Sequence, residues 1–447
     1  VSYLKLESSA AHNVLSFSFF RMFFSARFYY PVYALLFLDF GLTLEQFGIL
    51  NGIWAVTIVL CEVPSGALAD TIGRRTLLIA AGILMFFEML ILLFAPIGGG
   101  AQLFTLFIFN RVFSGMAEAA ASGADEALAF DALQAAGQQK LWGQVLARVQ
   151  RDTSIAFFFA LTIGAAVYDP RMVNAILKLF GYSGFLTQEQ LIKLPIALTM
   201  VSSLVVLWAA FRMREPSRTK LGSVRVTLSA SLRKTLDAGR WIWATPFAFA
   251  ILLAVMVTDN SIRQFLTLAS EYWNVIDLPI ATYGLIGAGM SLIGIVIPRA
   301  ALCMTEKQSV QRNFFISCLL IFVGFSGLSL VIPYWGILPA MCLFTAMHLM
   351  NFFSSHYLNN IAPSEHRATI LSFKGLSTNI AYALVSLLYS GLIIALKSSQ
   401  STSLSTYDED AVFIESLHWF TPYFSVTLLM ALLIYFLRFA RLSISQK

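Results

Sequence analysis

The residues most able to do chemistry sit inside long apolar runs. In 103–130, Arg111, Gly115, Glu118, Ser122 and Asp125 fall at offsets 0, 4, 7, 11 and 14. At 3.6 residues per turn these share one helix face, so the spacing predicts a polar stripe down an otherwise apolar helix. The run 14–38 carries Arg21 and Arg27. In 241–269, Asp259 and Arg263 are four apart and can pair, and with Asn260 and Gln264 they predict one polar patch. Substrate contact and a self-satisfied pair are both open for them. His348 lies in the middle of 335–361, where a neutral hydrogen-bonded ring competes with a proton-linked role. Asn379, Tyr382 and the Tyr29, Tyr30 and Tyr33 group could line a cavity or serve as packing. Glu88 sits alone in 77–95 with no evident partner. His348 and His356 are eight apart and off a shared face, which speaks against a metal site. No nucleophile–base constellation and no G-x-x-x-x-G-K-[ST] loop occurs, so neither an enzyme nor a cofactor is expected.

The composition says what surrounds these groups. Of 447 residues, 58% are apolar and 12% charged, and mean hydropathy is +0.75. A soluble domain carries roughly 25% charged residues. This chain has half that, too little to cover a soluble surface, and disorder needs the opposite composition. The apolar residues must face lipid. An ionisable side chain there costs at least about 2.5–3.5 kcal/mol, so each one needs a partner or a water-filled cavity. Net charge is +6, which in a soluble protein would suggest nucleic acid. Here basic cytoplasmic loops explain it better. Cys61, Cys303, Cys318 and Cys342 lie in or beside apolar segments without metal or disulfide spacing, and are expected to be free thiols. No N-x-[ST] acceptor occurs, which favours a bacterial source.

A spanning helix needs about 20 mainly apolar residues. Twelve stretches qualify: 14–38, 47–68, 77–95, 103–130, 145–168, 195–213, 241–269, 280–301, 313–331, 335–361, 369–396 and 419–439. With both termini in the cytoplasm, 22 of the 30 basic residues fall on the cytoplasmic side and four on the other. That is a strong positive-inside bias, and dropping one helix would scramble it. The predicted fold is all-α and integral to the cytoplasmic membrane, with six helices in 1–213, six in 241–447, and a linker at 214–240. Within the linker, 223–240 reads as a basic amphipathic helix lying on the anionic inner leaflet. Long external loops occupy the same place in each half, a sign of an internal repeat.

After the second span comes Gly66-Ala-Leu-Ala-Asp70-Thr-Ile-Gly73-Arg74-Arg75. Gly66 is suited to close helix approach and Gly73 to a tight turn. Asp70 can face a helix N-terminus or an Arg, and Arg74 and Arg75 hold the loop inside. The segment resembles the G-x-[LF]-A-D-x-x-G-R-[RK] signature of the major facilitator superfamily, in the loop where that family carries it. Glu62-Val-Pro64-Ser-Gly66 resembles the E-[IV]-P-[ST]-G of an efflux-like bacterial branch. Arg111-Val-Phe-Ser-Gly115-Met-Ala-Glu-Ala119 resembles the family's R-x-x-x-G-x-x-x-A. Ser122-Gly123-Ala-Asp125-Glu126-Ala127, with Asp131, is similar to the branch's S-G-A-x-E-A-x-x-x-D. Pro363-Ser-Glu-His-Arg367-Ala-Thr369 resembles the P-x-x-x-R-A-T before span eleven. The fifth-span element of drug–proton antiporters is absent at Gly164–Pro170.

The resemblance implies a monomeric secondary transporter with two six-helix bundles around a midplane site, rocking between inward-open and outward-open states. With no ATP-binding loop in the chain, the proton gradient is the expected energy source; the branch resemblance implies export of a drug, metabolite or siderophore-like solute, with uptake by proton symport as the alternative. It makes spans one and four neighbours, so Arg27 and Arg21 are expected to pair with Glu118 and Asp125. One of those carboxylates would take a proton during transport, or the network would brace the bundle. It assigns Arg111 to the coupling machinery, and places Glu62 beside the signature loop as gating structure.

Overall fold

In the computed structural model the described residues are 8–182, 184–215, 224–362, 367–400 and 408–444. Their regular structure is helical. The helices are α1 Ser8–Ser25, α2 Tyr33–Asp39, α3 Leu44–Ile72, α4 Arg74–Phe94, α5 Ala101–Ala121, α6 Ala124–Ala135, α7 Trp142–Tyr168, α8 Pro170–Leu179, α9 Gln188–Leu191, α10 Leu194–Arg212 and α11 Val224–Ala244. They continue with α12 Pro246–Val275, α13 Ile280–Lys307, α14 Val310–Leu328, α15 Ile337–Ile361, α16 Arg367–Gln400, α17 Glu409–Leu417 and α18 Phe420–Ile444.

The chain forms two compact units. Of the described residues, the first holds those within 1–43, 53–231 and 279–288, and the second those within 44–52, 232–278 and 289–447. In the first, α4 packs on α5 and α10, while α1 packs on α6, α7 and α10. Phe17, Phe20, Leu78, Met85, Ala117, Leu128 and Val206 make its core. In the second, α12 packs on α15, α16 and α18, and α14 on α15 and α18. Ile251, Val255, Leu349, Phe353 and Ile370 lie in that core.

Among the described residues, eight helical stretches are long and apolar enough to cross a membrane, or nine if α7 and α8, bent by 84°, form one. Polar interruptions account for part of the difference from twelve. Two expected spans are not single helices. The first breaks after Ser25, passes through a 3-10 turn at Tyr30–Val32, and resumes as α2. Pro31 sits in that turn, and the residue before a proline is pushed away from α geometry. The fourth breaks at Ser122 and Gly123, whose φ of +72° suits glycine, and resumes as α6.

Candidate functional site

The break in the first span positions Arg27. At Gly164 of α7 a Cβ would lie 1.7 Å from the Phe28 carbonyl oxygen, so only glycine lets the chain pass this close. The Phe28 amide donates to Thr199 Oγ1 of α10 at 3.0 Å. With its backbone held this way, Arg27 is 2% exposed and points at α4.

Its partner there is Glu88, which is wholly buried. Arg27 Nη1 donates to both carboxylate oxygens, at 2.7 and 2.8 Å. Arg111 approaches the same carboxylate at 3.5 Å. Asn110 Nδ2 donates to the Glu88 carbonyl at 2.8 Å, and its Oδ1 accepts from Arg111 Nε at 2.8 Å. Tyr29 donates to Glu88 at 3.3 Å, and Tyr33 accepts from Arg111 at 2.8 Å. Rings of Phe24 and Tyr30 face the Arg27 guanidinium, and those of Tyr33 and Phe37 face Arg111. A buried ion pair needs this number of additional partners to offset its desolvation.

This corrects the expected pairing of Arg27 with Glu118. Glu88, which the sequence left without a partner, takes that place. Glu118 is exposed on α5, seven residues from Arg111 on the same face, and lies in the electrostatic field of Arg27, Glu88 and Arg21.

Arg21 does meet Asp125, Nε to Oδ2 at 3.1 Å, and also Glu126 at 2.6 Å, a partner the sequence reading missed. The helix break places Asp125 and Glu126 in the first turn of α6, where acidic residues suit the helix dipole. The continuous five-residue stripe therefore stops at Glu118.

In the second unit, Asp259 and Arg263 pair along α12 at 2.5 Å. Arg263 Nη1 donates to Asn379 Oδ1 of α16 at 2.7 Å and faces the Tyr382 ring at 5.2 Å. Lys374 of α16 lies in the field of Asp259 and donates to Ser354 at 3.3 Å. Asn260 and Gln264 do not join this cluster. Asn260 accepts from Tyr423 of α18, and Gln264 from Ser386 of α16. The expected single patch is thus two separately bonded groups on one helix. His348 is half-buried and packs on Gly294, where a Cβ would sit 2.8 Å from the imidazole. Among the described residues, no group of three or more His, Cys, Asp or Glu could hold a metal.

The signature loop ties the first unit together. Gly73 has φ +101° and caps α4, as a tight turn requires. The Arg74 guanidinium pairs with Asp131 of α6, and its amide donates to Glu215 at 2.9 Å. Arg75 Nη2 donates to the Phe211 carbonyl at 2.9 Å. The half-buried Glu62 offers its carbonyl to Ser65, whose hydroxyl also reaches the Ala119 carbonyl. Gly66 has open space where a Cβ would go, so the expected close approach there is not made. The Asp70 side chain lies outside the described residues, as does the side chain of Arg367 in the loop before α16.

Solved structures with this fold are known at low sequence identity. The nucleoside transporter NupG superposes with a TM-score of 0.72 at 10% identity, covering 96% of this chain and 99% of that one. A bacterial homologue of the human lysosomal transporter Spinster gives 0.70 at 16%, covering 97% of both chains. A D-xylose–proton symporter gives 0.67 at 13%, covering 95% and 96%. No curated protein sequence matches closely enough to count as a relative. Residues 15–386 match the profile of the Major Facilitator Superfamily, and with that span the chain belongs to this superfamily of alternating-access membrane transporters.

Proposed function

We propose that this transporter is a proton-coupled exporter of a small organic solute, with Glu118 as the group that takes the proton. The position of Glu118 carries the reading. Among the described residues of the 103–130 stripe, Arg111 and Asp125 are held in ion pairs, while Glu118 is exposed and held in none. Exposure gives protons a route to it, and the buried charges around it make its charge state felt by its neighbours. Export of a drug, metabolite or siderophore-like molecule rests on the likeness of the 122–131 and 62–66 segments to the efflux-like branch. The bundles 1–213 and 241–447 are the moving halves, with 214–240 on the cytoplasmic surface of a bacterial inner membrane. Arg21, Arg27, Arg111, Asp259, Arg263, His348 and Asn379 contribute to coupling or substrate contact, and Glu62, Asp70, Arg74 and Arg75 to gating.

A second reading, uptake by symport, is favoured by charge. Arg27 and Arg111 share the single carboxylate Glu88. With Glu118 ionised the four groups balance, and with Glu118 protonated one positive charge is left over. An anionic solute would fill that surplus, so proton and anion would bind together and travel in one direction.

The test is transport in proteoliposomes under an imposed pH gradient, comparing wild type with Glu118→Gln. Gradient-driven flux should be lost in the variant while solute exchange without a gradient persists. Unchanged gradient-driven accumulation would sink the coupling role. Uptake into right-side-out vesicles under an inward proton gradient would select symport over export.

A further inference from the structure

The corner between α7 and α8 turns a spanning helix flat. At 1.5 Å per residue the 27 residues of α7 reach about 40 Å, enough to cross a hydrocarbon core of about 30 Å. α8 leaves at 84° with no intervening loop, since Asp169 both ends α7 and caps α8. Asp169 Oδ1 accepts from the Arg171 amide at 2.8 Å, and Pro170 brings the fixed φ suited to a first helical position. Asp169 Oδ2 accepts from the Ala281 amide of α13 at 3.1 Å, so a second helix holds the corner. A helix at this angle to a spanning one runs along the membrane surface, here at the end opposite the signature loop.

The residues of α8 sort into three faces. Val173, Asn174 and Leu177 are half-buried, and the Asn174 side chain bonds both the amide and the carbonyl of Leu186 at 2.8 Å. Met172, Ile176 and Leu179, at offsets 0, 4 and 7, share a second face within about 60° of arc. They are 42%, 42% and 85% exposed, and Phe180, just past the helix end, is 83% exposed. Arg171, Ala175 and Lys178, at the same offsets, make a third face that is also exposed. Neither cation is in an ion pair among the described residues, and Pro170–Leu179 contains no acidic residue. The exposed side of the helix is therefore one apolar strip beside one basic strip. That division is the mark of a helix lying in a lipid interface, with its apolar side among acyl chains and its cations at the phosphates.

We propose that the exposed side of α8 is a lipid-binding surface that lies in one leaflet of the bilayer, with Met172, Ile176 and Leu179 among the acyl chains and Arg171 and Lys178 on the phosphates of anionic phospholipid. It anchors the corner at Asp169, and through it the end of α7. With the termini cytoplasmic, as proposed above, the leaflet is the outer one. The surface itself is independent of the solute and of the direction of transport.

Site-directed spin labelling reads the depth of each face. The four native cysteines are replaced by serine, and Met172→Cys, Ala175→Cys, Ile176→Cys, Lys178→Cys and Leu179→Cys are labelled one at a time with a nitroxide. Each protein is reconstituted in vesicles of phosphatidylcholine and phosphatidylglycerol. Collisions with oxygen, which concentrates in the bilayer, are compared with those of a water-soluble nickel chelate. Labels at 172, 176 and 179 are expected about 5–10 Å below the phosphates, and those at 175 and 178 at or above them. Removing phosphatidylglycerol should raise the 172, 176 and 179 labels toward water, and Arg171→Gln with Lys178→Gln should abolish that dependence. Preferential access of nickel at all five sites overturns the proposal, since the apolar strip is then in water. Protection of 172, 176 and 179 from both reagents also overturns it, since a second copy of the chain then covers the strip. Depths that ignore lipid charge overturn the role given to Arg171 and Lys178. All five sites are exposed, so one label that perturbs folding leaves the alternation readable from the others.

Discussion

Arg27 donates to both oxygens of Glu88, and the pair joins a non-helical stretch of the first span to the middle of α4. Neither residue touches water to any useful extent. Two guanidiniums, two tyrosine hydroxyls and one carboxylate share the space. Such a cluster stabilises little in total, because desolvation consumes most of the Coulomb gain, but it is costly to break from one side.

Glu88→Gln therefore leaves Arg27 and Arg111 buried without their counter-charge. The expected loss is about 3–5 kcal/mol, read as a fall in the unfolding midpoint of the purified protein. Combining Arg27→Met with Glu88→Leu removes both charges of the closest pair. The double variant should lose less than the sum of its single changes, and that difference measures the coupling. Additive losses would mean that the pair is not a unit.

Glu118→Gln should behave in the opposite way. The side chain is exposed and held in no ion pair among the described residues, so stability should stay within about 0.5 kcal/mol of wild type. A retained unfolding midpoint alongside lost gradient-driven transport would separate coupling from bracing in one experiment. A large drop in the midpoint would make Glu118 structural.

The helical type of the elements was legible because lipid imposes it. Every spanning segment must satisfy its own backbone, and apolar runs with basic cytoplasmic loops follow from that. The buried site was only half legible. Arg21 and Asp125 were matched because spans one and four were expected to be neighbours, and their pairing survives the break between α5 and α6 because α1 packs on α6. Arg27 was matched to the wrong carboxylate because helical periodicity assumes an unbroken helix. Signals for the breaks were present in Tyr30-Pro31 and Ser122-Gly123. Glu88 carried its own signal, since a lone carboxylate in an apolar run must be answered by another helix. Which helix answers is a fact of tertiary packing, and no spacing within α4 encodes it.

Arg21 offers a prediction on asymmetry. Asp125 is buried while Arg21 is about one-third exposed. Arg21→Ala strands a buried carboxylate whose remaining support is the Glu126 amide at 2.7 Å, and should cost about 1–3 kcal/mol. Asp125→Asn should cost less, because the freed guanidinium still reaches Glu126 and water. Chemical denaturation of both variants in the same detergent gives the order. A costlier Asp125→Asn would show that the carboxylate's role at the start of α6 outweighs the ion pair.

Gly164 is the position where the smallest change should have the largest effect. An added methyl would lie 1.7 Å from the Phe28 carbonyl oxygen, far inside van der Waals contact, and the opposing atom is backbone that cannot rotate away. Relief requires the 26–29 stretch to move off α7. Phe28 is held by Thr199 and its neighbour Arg27 by Glu88, so relief strains two interactions at once. Overpacking usually costs about 1–3 kcal/mol, and a backbone clash belongs at the top of that range or above it. Gly164→Ala should lower the unfolding midpoint by at least as much as Thr199→Val, which removes one hydrogen bond worth about 0.5–1.5 kcal/mol. If the alanine variant melts with wild type, then α7 and the 26–29 stretch are not in contact and Arg27 is not positioned by that approach.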